Sequence, residues 1–302
     1  MLVRLLRLGR LHFLGAGLLL YLAGALWALH QGAAWDLLRL VTGYLVFFPA
    51  HLSVSYSNDY FDVAVDALAQ GTPFTGGSGI LVTYPELRPV ARRLALGLSA
   101  LSLTLGVLFL VRYRMSAWYL LYMLLGNLLG WFYTAPPLRL AYRGWGEVAT
   151  TLTIGLLIPG LGFLSLWGDF TSAFLLFTAP ILLFGLAFIV AVQIPDLEAD
   201  RAGGKQTLVA RRGRRRGFGI VGLAVSLGTL YYLLLGLLRT DKTVNFLLPA
   251  LFALPALAAG WAGALLHPEK RGVATRIVNA LLLSFVLLLL AIDLYLTWLL
   301  LP

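Results

Sequence analysis

A long apolar run ends in Asn58-Asp59-Tyr60-Phe61-Asp62-Val63-Ala64-Val65-Asp66. In an α-helix, Asn58, Asp62 and Asp66 lie four residues apart and form one row, with Asp59 beside it. Carboxylates this close repel one another, so the row requires a cation. Oxygen ligands without Cys or His favour Mg²⁺. A charged helix end at a membrane boundary is the alternative, but ionisable side chains near membrane depth are usually functional. We therefore expect these four side chains to be metal ligands.

A second acidic segment closes another apolar run, Gln193-Ile194-Pro195-Asp196-Leu197-Glu198-Ala199-Asp200. Asp196 and Asp200 are again four residues apart, and Glu198 points away from that pair. The basic residues Arg201 and Lys205 follow at once. Two acidic rows flanked by cations predict a diphosphate that is bound through Mg²⁺.

The composition indicates an integral membrane protein, because the 302 residues are 60% hydrophobic and only 12% charged. The chain has no Cys, which excludes disulfides and thiolate metal sites. The net charge of +10 does not indicate nucleic-acid binding, since the cations lie in short loops between apolar runs. We expect no cleavable signal peptide, because the first apolar run is long enough to span a membrane.

Nine apolar runs reach the roughly 20 residues that a helix needs to cross a membrane. The sequence therefore predicts a single domain, 1–302, that forms an all-α bundle of nine transmembrane helices around a central cavity. The predicted spans are 11–32, 36–62, 89–111, 115–134, 147–167, 171–195, 217–238, 243–266 and 274–300.

The loop charges predict the orientation of this bundle. With nine spans, 18 of the 23 Lys and Arg residues fall on the side of the N-terminus. The other five are Arg39, Arg112, Arg114, Arg239 and Lys242. The positive-inside rule then makes the N-terminus cytoplasmic. Both acidic segments fall on that same side, so we expect a cytoplasmic active site in the cell membrane.

Three loops on that side have distinct features. The turn-rich segment Gly71-Thr72-Pro73-Phe74-Thr75-Gly76-Gly77-Ser78-Gly79 predicts a covering loop, with a flexible linker as the alternative. Pro136-Pro137 ends the fourth run, and Arg139 and Arg143 follow. The basic run from Arg211 to Arg216 is typical of a site for anionic lipid headgroups.

The two acidic motifs, Asn58-Asp59-x-x-Asp62-x-x-x-Asp66 and Asp196-x-x-x-Asp200, resemble those of the UbiA superfamily of intramembrane prenyltransferases. The segment from Tyr133 to Glu147 and the segment from Gly204 to Leu208 look like the same family, and the resemblance covers the whole chain. The loop from Thr72 to Gly79 is most similar to the branch that prenylates 1,4-dihydroxy-2-naphthoate for menaquinone.

This resemblance implies Mg²⁺-dependent transfer of an isoprenoid from a prenyl diphosphate to an acceptor. The two acidic motifs would hold two Mg²⁺ ions and make the carboxylates catalytic. Tyr133 and Tyr142 would stabilise the allylic cation, with an interfacial aromatic belt as the alternative. Many relatives carry Arg soon after the first motif, whereas no Lys or Arg occurs here between Asp66 and Arg88. The residues expected to contact the diphosphate are Lys205, Arg143, Arg139, Arg201 and Arg10.

The sequence leaves the acceptor open. Aromatic acceptors such as 1,4-dihydroxy-2-naphthoate, hydroxybenzoate, homogentisate and a porphyrin occur in the superfamily, as does a glycerol-phosphate lipid. Two other classes are alternatives: a cation-coupled secondary transporter with the acidic rows as ion sites, and a membrane phosphotransferase of the CDP-alcohol type. The latter needs a compact Asp-x-x-Asp-Gly pattern that is absent here. The expected partners are the donor, the acceptor and membrane lipids, without nucleic acid.

Overall fold

The structure is a computed structural model that describes residues 1–72 and 74–301. Pro73, which belongs to the predicted covering loop, and Pro302 lie outside the described residues. The described residues form helices and turns and contain no strand, as expected for a chain whose backbone polar groups must be satisfied within lipid. The α-helices are α1 Leu2–Leu8, α2 His12–His30, α3 Leu37–Asp66, α4 Ile80–Thr83, α5 Arg88–Tyr113, α6 Ala117–Phe132, α7 Gly146–Leu152, α8 Ile158–Trp167, α9 Ser172–Gln193, α10 Leu197–Ala202, α11 Leu208–Arg212, α12 Arg214–Leu237, α13 Leu247–Phe252, α14 Leu254–Leu266 and α15 Arg271–Leu299.

Among the described residues, eight helical segments are long and apolar enough to cross a membrane. They confirm the prediction of an all-helical, multi-pass membrane protein. The segments are His12–His30, Leu37–Asp66, Pro85–Tyr113, Gly146–Trp167, Ser172–Gln193, Arg214–Leu237, Leu247–Leu266 and Arg271–Leu299.

The remaining predicted span, 115–134, corresponds to α6, which has 16 residues. At 1.5 Å per residue α6 is about 24 Å long, shorter than the roughly 30 Å hydrocarbon core. It begins only after Ser116, which is extended, and it ends at Phe132, before Pro136-Pro137. The length of this helix alone therefore does not establish a ninth crossing.

The helix that carries the first acidic motif is longer than the predicted span 36–62. The Asp36 side chain accepts a hydrogen bond from the Arg39 amide at its N-terminus, and the helix continues to Asp66. All four polar residues of the motif are consequently helical, and their spacing places them on one face.

Helices α2 and α8 pack closely through small residues. A Cβ atom built on Gly24 would lie 1.8 Å from the Pro159 carbonyl oxygen, and one on Gly162 would lie 1.9 Å from the Tyr21 carbonyl oxygen. The glycines thus let two backbones meet, which is a common device in membrane bundles. Nearby, the Trp27 ring stacks on Phe177 with ring centroids 4.6 Å apart. These contacts pack α2 against α8 and α9.

Candidate active site

The ends of α3 and α9 meet at one end of the bundle and enclose a polar cavity of about 160 Å³. The first motif reaches it from α3, and the second motif reaches it from the turn after α9. The structure thus brings both predicted acidic rows together. Among the charged and amide side chains that line the cavity are Asn58, Asp59, Asp62, Asp66, Asp196, Asp200, Arg10 and Lys205.

Lys205 connects the two acidic motifs. Its Nζ atom lies 2.7 Å from Asp62 Oδ2 and 3.8 Å from Asp200 Oδ1. The chain turns back at Gly204, which has a left-handed φ of 77°, and the Lys205 amide donates to the Asp200 carbonyl oxygen at 2.9 Å. Burial opposes the charge of Lys205, but the Asp62 and Asp200 carboxylates outweigh it and raise the Lys205 pKa. The ammonium group is therefore charged and centred between the motifs.

Tyr142 also binds the first motif. Its hydroxyl donates to Asp62 Oδ1 at 2.7 Å, so both oxygens of that carboxylate have partners. The Arg139 guanidinium stacks over the Tyr142 ring at 3.8 Å from its centroid. Burial, followed by the negative charge of Asp62, raises the pKa of Tyr142 to about 12. Arg139 thus contacts the site through Tyr142 and is not among the residues that line the polar cavity.

The turn-rich segment covers the same cavity. The Ser78 amide donates to Asp59 Oδ2 at 3.1 Å, and the Ser78 hydroxyl donates to the same oxygen. Gly77 has a φ of 62° and lies against Asp66, where a Cβ atom would be 2.2 Å from Asp66 Oδ2. A side chain at this position would therefore collide with the acidic row. The segment is in contact with the motif rather than extended into solvent.

Arg10 supplies the second cation of the cavity. It follows α1 with a φ of 49°, and its guanidinium lies 4.6 Å from the centroid of the Phe13 ring. Burial lowers the pKa of Arg10, although Asp59, Asp66 and Asp196 raise it. A cation from the N-terminal segment therefore faces the acidic row, where the loop after α3 provides none.

The carboxyl groups of the second motif are affected by burial, and one of their oxygens has no partner among the described residues. Burial raises the pKa of Asp196 and raises that of Asp200 to about 6, against the opposing effect of Lys205. The Thr207 hydroxyl donates to Asp200 Oδ2 at 3.2 Å. Within the described part of the chain, the buried Asp196 Oδ1 atom has no hydrogen-bond partner. This oxygen is free to bind a ligand.

The donor set fits Mg²⁺. Among residues 1–72 and 74–301, no three His, Cys, Asp or Glu side chains are close enough together to form a preassembled metal site. Mg²⁺ does not need such a cluster, because it usually binds one or two carboxylates together with water and phosphate oxygens. The oxygen ligands of both motifs, together with the unpartnered Asp196 oxygen, meet that requirement.

Three other charged residues lie outside the cavity. Arg143 is exposed, and Arg201 is exposed with its Nε atom bound to the Ala210 carbonyl oxygen at 2.7 Å. Neither lines the polar cavity. Glu198 is also exposed and pairs with Arg214 at 2.5 Å, as its orientation away from the Asp pair predicts. Arg214 additionally donates to the Ile194 carbonyl oxygen at 3.1 Å, so this member of the basic run binds protein rather than lipid.

A large apolar cavity of about 400 Å³ adjoins the polar one. Tyr133 lines both cavities, as do Arg10 and Asn58. The apolar cavity follows α3 from Asn58 to Val46, a distance of about 18 Å along a helix. The two cavities together can hold a molecule with a charged head and a long hydrocarbon tail.

Several residues that support the site were not singled out from the sequence. Buried Glu147 accepts a hydrogen bond from Gln193 Nε2 at 3.0 Å and another from the Leu208 amide. The Thr134 hydroxyl donates to Asn58 Oδ1 at 3.0 Å. Glu147 lies in a segment that the family resemblance includes, but its partners are distant in sequence and no local pattern indicates them.

The fold and this site define a class of multi-pass membrane protein, in which an acidic polar cavity lies at one end of an apolar cavity. A sequence model of the UbiA prenyltransferase family matches residues 17–286. The chain therefore belongs to that family, as its acidic motifs predict. This membership argues against the transporter and the CDP-alcohol phosphotransferase.

Individual relatives agree with this classification. The chain is 25% identical over 207 residues to a 1,4-dihydroxy-2-naphthoate octaprenyltransferase of Bacillus subtilis (strain 168), a match that covers 68% of this chain and 64% of the relative.

The fold is similar to that of a UbiA homologue from Archaeoglobus fulgidus bound to DMAPP and Mg²⁺, with a TM-score of 0.65 and 17% identity over 96% of this chain and 99% of that chain. It is also similar to a digeranylgeranylglyceryl phosphate synthase, with a TM-score of 0.66 and 17% identity over 98% of each chain.

Proposed function

We propose that the protein transfers an isoprenoid chain from a prenyl diphosphate to an acceptor within the membrane. The observation that carries this proposal is the junction of the two cavities: both acidic motifs, Lys205 and Arg10 line the polar cavity, which shares lining residues with the 400 Å³ apolar cavity. A diphosphate fits the first cavity and an isoprenoid tail fits the second. The homologue from Archaeoglobus fulgidus, which was solved with DMAPP and Mg²⁺, supports this choice of donor.

The acidic side chains would hold Mg²⁺, with Asp59, Asp62 and Asp66 on one side and Asp196 and Asp200 on the other. When bound, Mg²⁺ neutralises the charge that develops on a departing diphosphate. We propose two ions, one for each motif, with Asn58 as an additional oxygen ligand.

Lys205 and Arg10 are the side chains placed to donate charge-assisted hydrogen bonds to the diphosphate. Lys205 Nζ already lies 2.7 and 3.8 Å from carboxylate oxygens of the two motifs. Diphosphate oxygens would replace these contacts when the donor binds. Arg139 would act through Tyr142, whereas Arg143 and Arg201 would need to move to reach the diphosphate.

Tyr133 is better placed than Tyr142 to stabilise an allylic cation. It lines both cavities, at the point where the reacting carbon of a donor would lie. The Tyr142 ring already has the Arg139 guanidinium at 3.8 Å and the Lys205 ammonium at 5.8 Å from its centroid, and these charges would repel a further cation. The apolar cavity would keep water away from the cation.

For the acceptor we propose an aromatic quinone precursor such as 1,4-dihydroxy-2-naphthoate. The Bacillus subtilis relative supports this choice. The charges of the site agree with it, because the apolar cavity contains one cation among its described lining residues, Arg10, which the donor diphosphate also needs. A glycerol-phosphate lipid, the acceptor class suggested by the digeranylgeranylglyceryl phosphate synthase, would bring a further phosphate without a further cation. Hydroxybenzoate, homogentisate and a porphyrin are the other aromatic alternatives.

We further propose that α6 is a ninth crossing and that the acidic end of the bundle is cytoplasmic. Lys205 contacts Asp62 at 2.7 Å, so α3 and α9 must end on the same side of the membrane. An even number of crossings must then follow α3 up to the end of α9. The segments α5, α7–α8 and α9 give three crossings, which is an odd number. Adding α6 gives four, which is even. The loop charges favour the cytoplasm for that side.

An activity assay tests the proposal. The purified protein is incubated with geranylgeranyl diphosphate, Mg²⁺ and a panel of aromatic and glycerol-phosphate acceptors, and the product is identified by mass. We expect a prenylated aromatic product. Absence of any prenylated product across the panel would contradict the proposed activity, and a product made only from a glycerol-phosphate acceptor would contradict the proposed acceptor.

Asp196→Asn in the same assay tests the metal site. Asp196 Oδ1 has no hydrogen-bond partner among the described residues, so the change removes a charge without breaking a described contact of that oxygen. We expect turnover to fall at least a hundredfold, or roughly 3 kcal/mol in transition-state stabilisation, with an unchanged melting temperature. Glu198→Gln is the matched control, because Glu198 is exposed and off the site. Equal activity of the two variants would remove Asp196 from the metal site.

A further inference from the structure

The first residue of α15 binds two distant parts of the chain. Within the described residues, Arg271 donates three hydrogen bonds. Its Nε atom lies 2.8 Å from the Pro195 carbonyl oxygen, and its Nη1 atom lies 2.9 Å from Gln70 Oε1. Its Nη2 atom donates to the Gln70 carbonyl oxygen. One planar guanidinium thus joins α15, the turn of the second acidic motif and the segment that leads from α3 to the covering loop.

The position of this cation is unfavourable on local grounds. Arg271 is in the first turn of α15, where the positive end of the helix dipole disfavours a cation. The hydrogen bonds to Gln70 and Pro195 offset that cost, and only the forked geometry of Arg provides all of them together. The local conflict and the long-range contacts therefore point to a role beyond helix formation.

A tight turn connects Gln70 to the covering segment, residues 74–78. The Thr72 amide donates to the Thr75 carbonyl oxygen at 3.0 Å, and the two threonine hydroxyls are 2.9 Å apart. Thr75 and Gly77 line the polar cavity, and Ser78 binds Asp59. The hydrogen bonds from Arg271 to Gln70 therefore fix the start of the segment that lies on the first acidic motif.

The Pro195 contact reaches the second motif directly. The bound carbonyl group belongs to the peptide unit that joins Pro195 to Asp196, whose side chain lines the cavity. The same arginine therefore sets the position of the covering segment relative to Asp196.

We infer that Arg271 is a positioning residue for the prenyl transfer proposed above: it holds the covering segment, residues 74–78, closed over the polar cavity and in register with the second acidic motif. It touches neither substrate. Its effect is to keep water out while the allylic cation exists.

This role predicts a specific side reaction when the hydrogen bonds from Arg271 to Gln70 and Pro195 are lost. After the C–O bond to the diphosphate breaks, the allylic carbon bonds to an acceptor carbon or to a water oxygen. Water attack yields a prenyl alcohol and releases one proton, and the diphosphate departs in both cases. A loosened covering segment admits water, so the ratio of prenyl alcohol to prenylated acceptor rises.

The test compares Arg271→Gln with Arg276→Gln in the full-length protein. Arg276 is an exposed cation on the same helix and gives a matched change in charge. With geranylgeranyl diphosphate, Mg²⁺ and the acceptor that the wild type uses, Arg271→Gln should raise the alcohol-to-product ratio by roughly tenfold or more, since charge-assisted hydrogen bonds are lost. Arg271→Lys keeps the positive charge but loses the forked N–H donors of the guanidinium group. Its alcohol-to-product ratio should fall between those of Arg271→Gln and the wild type. Arg276→Gln should match the wild type.

A second readout does not depend on activity. The chain has no native Cys, so Thr75→Cys places a single thiol in the buried part of the covering segment. Its labelling by a water-soluble reagent should be several-fold faster when Arg271→Gln is added, and unchanged with Arg276→Gln.

An unchanged ratio, or unchanged labelling, in Arg271→Gln would overturn the inference. A parallel loss of both products would assign Arg271 to general stability. If the wild type makes no prenylated product at all, the proposed function fails, and the labelling rates still decide the role of Arg271.

Discussion

Lys205 is the residue through which the two acidic motifs interact in the absence of a ligand. It lies 2.7 Å from Asp62 and 3.8 Å from Asp200, and its side chain is only 14% exposed. Carboxylates that repel one another are thereby kept together before a metal arrives. We propose that the same ammonium moves from carboxylate to phosphate oxygens when the donor binds. In this proposal Lys205 links assembly of the site to recognition of the donor.

Lys205→Met tests this role. A charge-assisted hydrogen bond contributes about 1.5–3 kcal/mol, so the turnover rate should fall roughly ten- to a hundredfold if the contact is made chiefly in the transition state. Arg215→Met is the control, because Arg215 is an exposed cation on the same side of the bundle. Steady-state kinetics of both variants in one detergent decide the question, and full activity of Lys205→Met would exclude the contact.

At the scale of single residues, spacing along the helix predicted the acidic rows. Which basic residues line the polar cavity depends instead on how distant segments pack. The four-residue spacing of Asp62 and Asp66 is sufficient to place them on one helical face. No comparable rule distinguishes Arg10 from Arg143, since both follow short helical segments. Only the packing of the N-terminal segment puts Arg10 in the cavity, while Arg143 is exposed.

At the scale of elements, Glu147 joins α9 and α11, the helices on either side of the second motif. Buried in α7, it accepts hydrogen bonds from Gln193 on α9 and from the first amide of α11. The α11 helix begins three residues after Lys205. Glu147 therefore fixes the segment that presents Lys205 to the acidic motifs.

Glu147→Ala should destabilise the protein. The change leaves the Gln193 amide and the Leu208 N–H without this acceptor, at roughly 1–3 kcal/mol for each buried group. Thermal unfolding in detergent measures the effect, with Glu86→Ala as a control at an exposed glutamate. A melting temperature equal to that of the control would show that water satisfies both groups.

The α2–α8 contact gives another prediction at this scale. Gly24→Ala would place a methyl group 1.8 Å from the Pro159 carbonyl oxygen. Because backbone must shift to accommodate it, we expect a loss of about 1–3 kcal/mol. Gly15→Ala on the same helix has no atom within 4 Å of its Cβ and should be neutral or slightly stabilising. Thermal unfolding of the two variants side by side measures the difference, and equal stability would contradict the packing.

Helix ends were harder to predict than helix existence. Hydropathy located each apolar run, because nearly every residue of a membrane helix is apolar. It did not show that α3 continues through its polar residues to Asp66. It also did not show that the run 147–167 contains a π-helical turn, Thr153–Leu157, since that irregularity depends on the neighbouring helices.

For the whole molecule, the decisive constraint is that the ends of α3 and α9 meet. This contact supports the proposal that α6, although only about 24 Å long, crosses the membrane. A local thinning of the bilayer accommodates such a short helix at a modest cost. The pairing of the sequence-distant acidic motifs thus supports the proposed nine-crossing topology, for which helix length alone gives no evidence.

Single-cysteine labelling tests that topology in a chain without native Cys. Gln206 and Glu269 are exposed in loops on the acidic side of the proposed bundle, and Asp169 and Lys242 are exposed in loops on the other side. With nine crossings, cysteines at the first two positions should react only from the cytoplasm, and those at the last two only from outside. Labelling of Gln206→Cys and Asp169→Cys from the same side would show that α9 does not cross the membrane. With α5, α6 and α7–α8 still crossing, Lys205 and Asp62 would then lie on opposite faces of the membrane, which would contradict their 2.7 Å contact.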